Sequence, residues 1–265
     1  EKEEMSNAVV IVSLGPGDPE LITLKGLNRL RRADRIFCPA TLASDGTIVS
    51  RTQKILNEAG IPETNIRLFP VAMDTDRYAA MYDYADVVRN IEKEYEAGHH
   101  VVITAEGDAG FYSSSSCISD MLTVRGIPIE RIAGVPAFIA CAASENIRIS
   151  ERDEEASIIT RLSSAEELIG YIKAGRTVVL MKVSRFEALV KEALQDAPDN
   201  VSFHYFENTG IPDATSNGNK EKITHIAAGR NATYAVTESG KLFAFGDNAN
   251  GQLGNGSSES DVSGI

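Results

Sequence analysis

Two carboxylates and two glycines stand together in Glu106-Gly107-Asp108-Ala109-Gly110, followed by Phe111-Tyr112 and four serines at 113–116. Paired glycines permit backbone angles that side chains forbid, so a ligand can approach the main chain closely. The chemistry offered is therefore recognition by a main-chain turn rather than attack by a reactive side chain. A second turn of this kind is Ala133-Gly134-Val135-Pro136-Ala137, and a third is Gly15-Pro16-Gly17-Asp18-Pro19-Glu20-Leu21. The third opens like a dinucleotide fingerprint, but its last glycine would fall at Glu20, and Pro16 and Pro19 stiffen a loop that would have to wrap a pyrophosphate. The adjacent His99-His100 leads into a strand, where neighbours point to opposite faces, so no metal is expected there. Cys38, Cys117 and Cys141 are widely spaced, lack a Cys-x-x-Cys pairing and leave one over in any disulfide scheme, which fits a reducing cytoplasm.

The elements that must position these turns follow from periodicity. Residues 8–14 and 101–105 are apolar runs suited to parallel strands covered on both faces. Thr23 sits where an N-cap belongs, ahead of Leu24, Leu27 and Leu30. Residues 34–39 read as a short strand, 41–47 as a polar loop, 52–59 as a helix closed by Gly60, and 66–71 as a third strand. Met81, Tyr84, Ala85, Val88, Ile91 and Tyr95 mark a helix over 77–97 that Gly98 ends. The serine run opens a helix carrying Ile118, Met121 and Leu122. Residues 129–132 form a strand feeding the second turn and a small-residue helix over 138–144. Strand alternates with helix, which predicts a parallel α/β domain, and a strand emptying into a glycine turn at a helix start is where open α/β sheets bind ligands.

Residues 151–155 are a charged link and the expected domain boundary. A second α/β unit follows, with strands over 157–162, 177–183 and 201–207. Ser164-x-x-Glu167 and Ser184-x-x-Glu187 read as capping boxes for helices over 165–174 and 185–195, with Gly175 closing the first.

At 265 residues the chain suffices for two domains, and 43% hydrophobic with 24% charged residues is a globular balance. No apolar run approaches the roughly 20 residues that span a bilayer, and no export signal is read at the start of the chain, so neither membrane insertion nor export is expected. A net charge of −12 opposes binding to nucleic acid or an anionic membrane. It does not oppose a polyanionic small molecule, which responds to charge within about 10 Å. Glu1 to Glu4 precede Met5, which reads as a natural start, and residues 1–7 are taken as an extension without a role.

From about residue 8 to 212 the chain resembles the tetrapyrrole methylases, specifically the precorrin-2 C(20)-methyltransferase branch. The carriers are Gly15-Pro-Gly-Asp-Pro-Glu-Leu-Ile-Thr-Leu-Lys25, the Gly-Asp turn with Phe111-Tyr112-Ser113, Gly134-Val135-Pro136-Ala137-Phe138, and Val178-Val-Leu-Met-Lys-Val183. Phe69-Pro-Val-Ala-Met-Asp-Thr-Asp-Arg77 and Met181-Lys-Val speak for the C(20) branch over related uroporphyrinogen or diphthine methylases. The resemblance implies two α/β domains, residues 8–150 and 151–212, with S-adenosylmethionine folded into the cleft between them and S-adenosylhomocysteine as product. It implies cofactor contacts at Pro16, Gly107, Asp108, Ala109, Phe111, Tyr112, Ser113, Pro136 and Ala137, with Met181 and Asn208 approaching from the second domain. A homodimer is implied as well.

A sulfonium methyl is already activated, so the enzyme must align an electron-rich macrocycle carbon with it and exclude water, a proximity effect of roughly 7–11 kcal/mol. Glu106, Asp108 or a serine of the Ser113 run is a candidate for removing the proton from the methylated carbon. Arg51, Lys54, Lys182 and Arg185 are candidate partners for the substrate's carboxylates. The family usually has proline where this chain has Ala109, and Ser or Thr near Pro136-Ala137. The lost hydroxyl removes a cofactor hydrogen bond of about 0.5–1.5 kcal/mol.

After Pro212 the resemblance stops. Residues 213–222 read as a polar linker, and 223–256 resemble one repeat of the regulator-of-chromosome-condensation propeller family, carried by Ala227-Ala-Gly229, the run from Tyr234 to Asn248, and Gly251-Gln-Leu-Gly254. Strands are expected at 223–228, 233–237 and 242–245, and disorder at 257–265. One blade cannot close a ring. Either these strands complete the second sheet, which otherwise lacks its last strands, or that sheet has a bare edge. An interaction protein built from a decayed methylase and a propeller fragment is the alternative to an enzyme.

Overall fold

A computed structural model of the chain describes residues 8–42, 47–71, 77–196, 201 and 203–207, and the strands 215–218, 223–228, 232–237, 242–246 and 263–264. Two compact units divide within one helix, between Ala140 and Cys141. The charged stretch expected as the boundary lies inside the second unit, because Glu155 accepts from the Thr177 amide (3.0 Å) and pairs with Arg176 (2.7 Å).

The first unit is a six-stranded sheet. Its elements are β1 (Val9–Ser13), α1 (Leu24–Arg31), β2 (Arg35–Leu42), β3 (Ile48–Val49), α2 (Arg51–Glu58), β4 (Ile66–Pro70), α3 (Arg77–Glu96), β5 (Val101–Ala105), α4 (Ser115–Val124), β6 (Ile129–Ile132) and α5 (Ala137–Ser144). The parallel order is β4-β2-β5-β1-β6, and β3 pairs antiparallel with the end of β2. β1 thus lies between β5 and β6, which brings the three glycine turns to neighbouring strand tips.

Every residue of β1 and β5 is buried, as expected for a sheet covered on both sides. The period of two sorts the side chains between two cores. Val9, Ile11, Val101 and Ile103 pack with Val88, Ile91, Ile118 and Leu122 of α3 and α4. Val10, Val12 and Val102 face the other way, onto Leu30 of α1 and Ile55 and Leu56 of α2. Each such side chain contributes about 1.5–3 kcal/mol by leaving water.

Thr23 caps α1 by accepting from the Gly26 amide (3.2 Å), as its position predicts. Leu24 departs from the apolar reading: it is 81% exposed, because the helix buries Gly26 and Leu30 instead. β2 runs past Pro39, where the sequence pattern ends it. Pairing with β5 stops at Phe37, so the missing proline amide removes no bond on that edge. His99 pairs with Glu94 and His100 with Asp34, whose carboxyl is held below the ordinary range chiefly by the His100 amide. Cys38 is buried, which pushes its thiol up to about 11 and makes it inert at neutral pH.

In the second unit β7 (Ala156–Ile159) pairs parallel with β8 (Thr177–Leu180), and α6 (Ala165–Lys173) and α7 (Glu187–Gln195) pack on Leu162, Leu168 and Phe186. Ser164 caps α6 as predicted, accepting from Glu167, whose carboxylate in turn accepts from the Ser163 amide. The second helix starts later than its spacing predicts. A 3₁₀ turn over Val183–Arg185, entered through left-handed Lys182, delays α7, and its N-cap is the buried Phe186. Glu187 pairs with Lys191 (2.5 Å).

β9 (His204–Glu207) forms a hairpin with β10 (Thr215–Gly218), so the expected linker contributes a strand held by main-chain bonds that polar side chains do not forbid. β11 (Ile223–Ala228), β12 (Ala232–Thr237), β13 (Leu242–Gly246) and β14 (Ser263–Gly264) form an antiparallel sheet of their own. Among the described residues these strands do not extend β7-β8. Ser263 and Gly264, expected within a disordered end, pair with Ala244 and Phe243, since free main-chain groups on the β13 edge accept a partner of any composition.

Candidate functional site

Three turns meet where β1, β5 and β6 end. Gly15 and Gly107 exchange both main-chain hydrogen bonds (3.1 and 2.7 Å), and both take positive φ, 75° and 69°. That geometry explains why glycine is present in each. Ser13, fully buried at the tip of β1, donates from Oγ to the Ile132 carbonyl (2.6 Å) and accepts from the Ala109 amide (2.8 Å). Asp108 uses both carboxylate oxygens as acceptors, Oδ1 from the Gly110 amide (2.8 Å) and Oδ2 from the Gly134 amide (2.7 Å). Residues 107–110 and 134 are thereby tied into one junction. Contact is close: a Cβ at Gly134 would lie 2.8 Å from the Gly107 carbonyl oxygen and press on the Ser13 Cβ.

Open space lies above Gly107, where a Cβ would meet nothing within 4 Å. The residues that follow form a cluster of three rings, Phe111 against Tyr112 (centroids 4.7 Å apart) and Phe111 against Phe138 (5.5 Å). Tyr112 is half exposed and held at φ 53°, a left-handed conformation that costs a non-glycine residue of order 1–3 kcal/mol. Bare main chain in a turn that also carries aromatic rings suits a flat, partly apolar ligand.

Electrostatics at the rim centre on Glu106, whose carboxylate lies 3.4 Å from the Arg51 guanidinium. Burial raises its pKa and Arg51 opposes the rise. The side chain keeps 41% of its area open, so the desolvation is partial. Ser113 bonds Ser115 Oγ (2.8 Å) and accepts from its amide (3.3 Å), which ties it to the start of α4.

The sequence-predicted residues therefore divide. Gly107, Asp108, Phe111, Tyr112, Ser113, Pro136 and Ala137 belong to the β5 and β6 turns, and Pro16 is buried in the β1 turn. Ala109 turns its side chain into the core and gives its amide to Ser13, so it supports the turn from beneath. Arg51 and Lys54 are exposed on α2. Met181, Lys182 and Arg185 belong to the second unit, with Lys182 and Arg185 exposed. Asn208 lies outside the described residues. Ser13 was not among the sequence candidates, although a lone hydroxyl closing the run Val-Val-Ile-Val signals a buried polar group in need of partners. A hollow of about 760 Å³ in the second unit, lined by residues 151–155 and 174–176, contains none of these residues.

A parallel sheet whose strand tips carry a main-chain cradle defines a small-molecule-binding α/β enzyme domain. Residues 8–222 match the family model of the Tetrapyrrole (Corrin/Porphyrin) Methylases, and residues 223–252 match a Regulator of chromosome condensation (RCC1) repeat over a short stretch. The chain belongs to the tetrapyrrole methylases and is an S-adenosylmethionine-dependent methyltransferase. It is 31% identical over 172 residues to the probable cobalt-precorrin-2 C(20)-methyltransferase of Methanocaldococcus jannaschii, covering 64% of this chain and 70% of that protein. It is 25% identical over 211 residues to the cobalt-precorrin-4 C(11)-methyltransferase of the same organism, covering 74% and 73%. In fold it is similar to the X-ray structure of a cobalt precorrin-4 methyltransferase, with a TM-score of 0.59 at 22% identity over 80% of this chain and 84% of the other.

Proposed function

We propose that this enzyme methylates precorrin-2, or its cobalt-bearing counterpart, at C-20 in cobalamin biosynthesis. The observation that carries the reading is the junction of three turns locked by Ser13 and Asp108, a rigid main-chain cradle that needs no nucleophile. The C-20 position is supported by the 31% likeness to a C(20) relative, against 25% for a C(11) relative. When bound, S-adenosylmethionine supplies an activated methyl group. The chain's part is to hold the adenosyl group against Gly107 and the Phe111, Tyr112 and Phe138 rings, to admit the macrocycle and to exclude water. Methylation releases a proton from the new sp³ carbon. Glu106 is suited to receive it, being half open at the rim, whereas Asp108 has both oxygens committed to main-chain donors.

Arg51 and Lys54 on α2, and Lys182 and Arg185 on the second unit, are the proposed partners of the substrate's carboxylates. Met181 and Asn208 are the proposed cofactor contacts of that unit. We place the enzyme in the cytoplasm as a homodimer, on family likeness. The test is incubation of the full chain with S-adenosylmethionine and precorrin-2, with and without cobalt, followed by mass spectrometry and assignment of the methyl position by NMR. Gain of one methyl at C-20 is expected. Cofactor binding with methylation elsewhere would overturn the position.

A further inference from the structure

We propose that Ser13 is a positioning residue for the cofactor turn: its buried hydroxyl ties the β5 and β6 turns to the tip of β1 and thereby sets the affinity for S-adenosylmethionine. The inference rests on the reading that residues 107–111 and 134–137 border the cofactor. Ser13 itself is fully buried and closes a strand of four apolar residues. A hydroxyl there is a poor choice for packing, since valine would continue the run without a polar group to satisfy. Its value lies in its two bonds. It donates to Ile132, 119 residues away, at 2.6 Å, and accepts from Ala109, 96 residues away, at 2.8 Å.

One oxygen atom therefore spans the last residue of β6 and the middle of the β5 turn. Asp108 closes the circuit from above, through the Gly134 amide. Ala109 is buried (1% exposed) and its amide faces the Ser13 oxygen, so without that acceptor a main-chain donor is stranded in the interior. The turn then relaxes toward arrangements in which water reaches the amide. Each arrangement without the native turn lowers apparent affinity by the fraction of time it is occupied. Ser13 is fully buried and acts through the turns it ties, so the effect falls on cofactor binding rather than on the chemical step.

The test titrates S-adenosylhomocysteine into the full wild-type chain and into Ser13→Ala by calorimetry, with steady-state kinetics in both substrates. A rise of about tenfold in Kd and in the S-adenosylmethionine KM is expected, with kcat and the tetrapyrrole KM within about twofold. Ser13→Cys keeps the packing but offers only a weak donor and acceptor, so it is the variant to read should alanine prevent folding, with a rise of about threefold or more expected. Lower thermal stability with unchanged S-adenosylhomocysteine affinity in both variants would confine Ser13 to the fold and overturn the inference alone. A wild-type chain that binds no S-adenosylhomocysteine would overturn the cofactor reading and this inference with it.

Discussion

Replacing Asp108 with asparagine separates two roles that a carboxylate in this turn can have. In the structure Oδ1 accepts from Gly110 at 2.8 Å and Oδ2 from Gly134 at 2.7 Å. Asparagine keeps one acceptor oxygen and puts an amide donor where the other stood. The bond to Gly110 is local and of a kind asparagine also makes, so the oxygen stays there and the link to Gly134, 26 residues away, is lost. A hydrogen bond to a charged acceptor contributes about 1.5–3 kcal/mol, and two donors left facing each other add to the loss. At about 2–4 °C per kcal/mol for a domain of this size, the first transition in a thermal melt should fall by about 4–10 °C. The S-adenosylmethionine KM should rise while kcat at saturation changes little. A general base at this position behaves oppositely, because its loss removes about 10²–10⁴ from kcat with cofactor affinity intact. An Asp108→Asn enzyme with wild-type melting and KM but a kcat reduced a hundredfold would refute the tether and restore Asp108 as the proton acceptor.

Gly134→Ala sets a methyl 2.8 Å from the Gly107 carbonyl oxygen and against Ser13, so it should destabilise the first unit by about 1–3 kcal/mol and weaken S-adenosylhomocysteine binding; a variant matching wild type in urea midpoint and in Kd would show that the turns are not in close contact. For Glu106, burial raises the folded pKa against the opposing pull of Arg51, so the folded chain holds this proton more tightly than the unfolded one and stability falls as pH rises between the two values. Glu106→Gln should therefore be more stable than wild type at neutral pH, with the difference closing on acidification below the ordinary carboxylate range; urea midpoints across that window decide it, and a variant less stable at neutral pH would mean that the Arg51 pair outweighs burial.

Local rules were enough for the elements that carry the site. β5 falls where a run of β-branched and apolar residues ends at a glycine turn, and α1 begins at Thr23 because a threonine oxygen can take the Gly26 amide. Where the sequence pattern misleads, a tertiary partner is responsible. Ser184-x-x-Glu187 has the spacing of a capping box, but Phe186 between them is drawn into the core and moves the helix start onto itself. Pro39 ends a strand by the usual rule, yet β2 continues because β4 pairs with it through Ala40 and β3 beyond, while β5 no longer calls on a Pro39 amide. Polar residues 215–218 lack strand periodicity and still pair, since β9 offers main-chain partners in an antiparallel hairpin. Each of these depends on a neighbour that is remote in sequence or on burial that spacing alone does not encode.

The same distinction governs the site. The glycines of the three turns are legible because positive φ is a local demand, met at Gly15 and Gly107. The bonds that join the turns are not, because Ser13, Asp108 and Gly134 are brought together only by the β5-β1-β6 order of the sheet. That order puts β1 between β5 and β6, so a single hydroxyl at its tip reaches both flanking turns. An acidic residue in a glycine turn invites a reading by charge, yet Asp108 is already committed to two amides and holds the shape of the turn. Glu106, matched with Arg51, keeps 41% of its side chain exposed. Geometry thus divides two carboxylates one residue apart into a tether and a candidate base, and the Asp108→Asn and Glu106→Gln enzymes should fail in different ways, the first in cofactor affinity and the second in kcat.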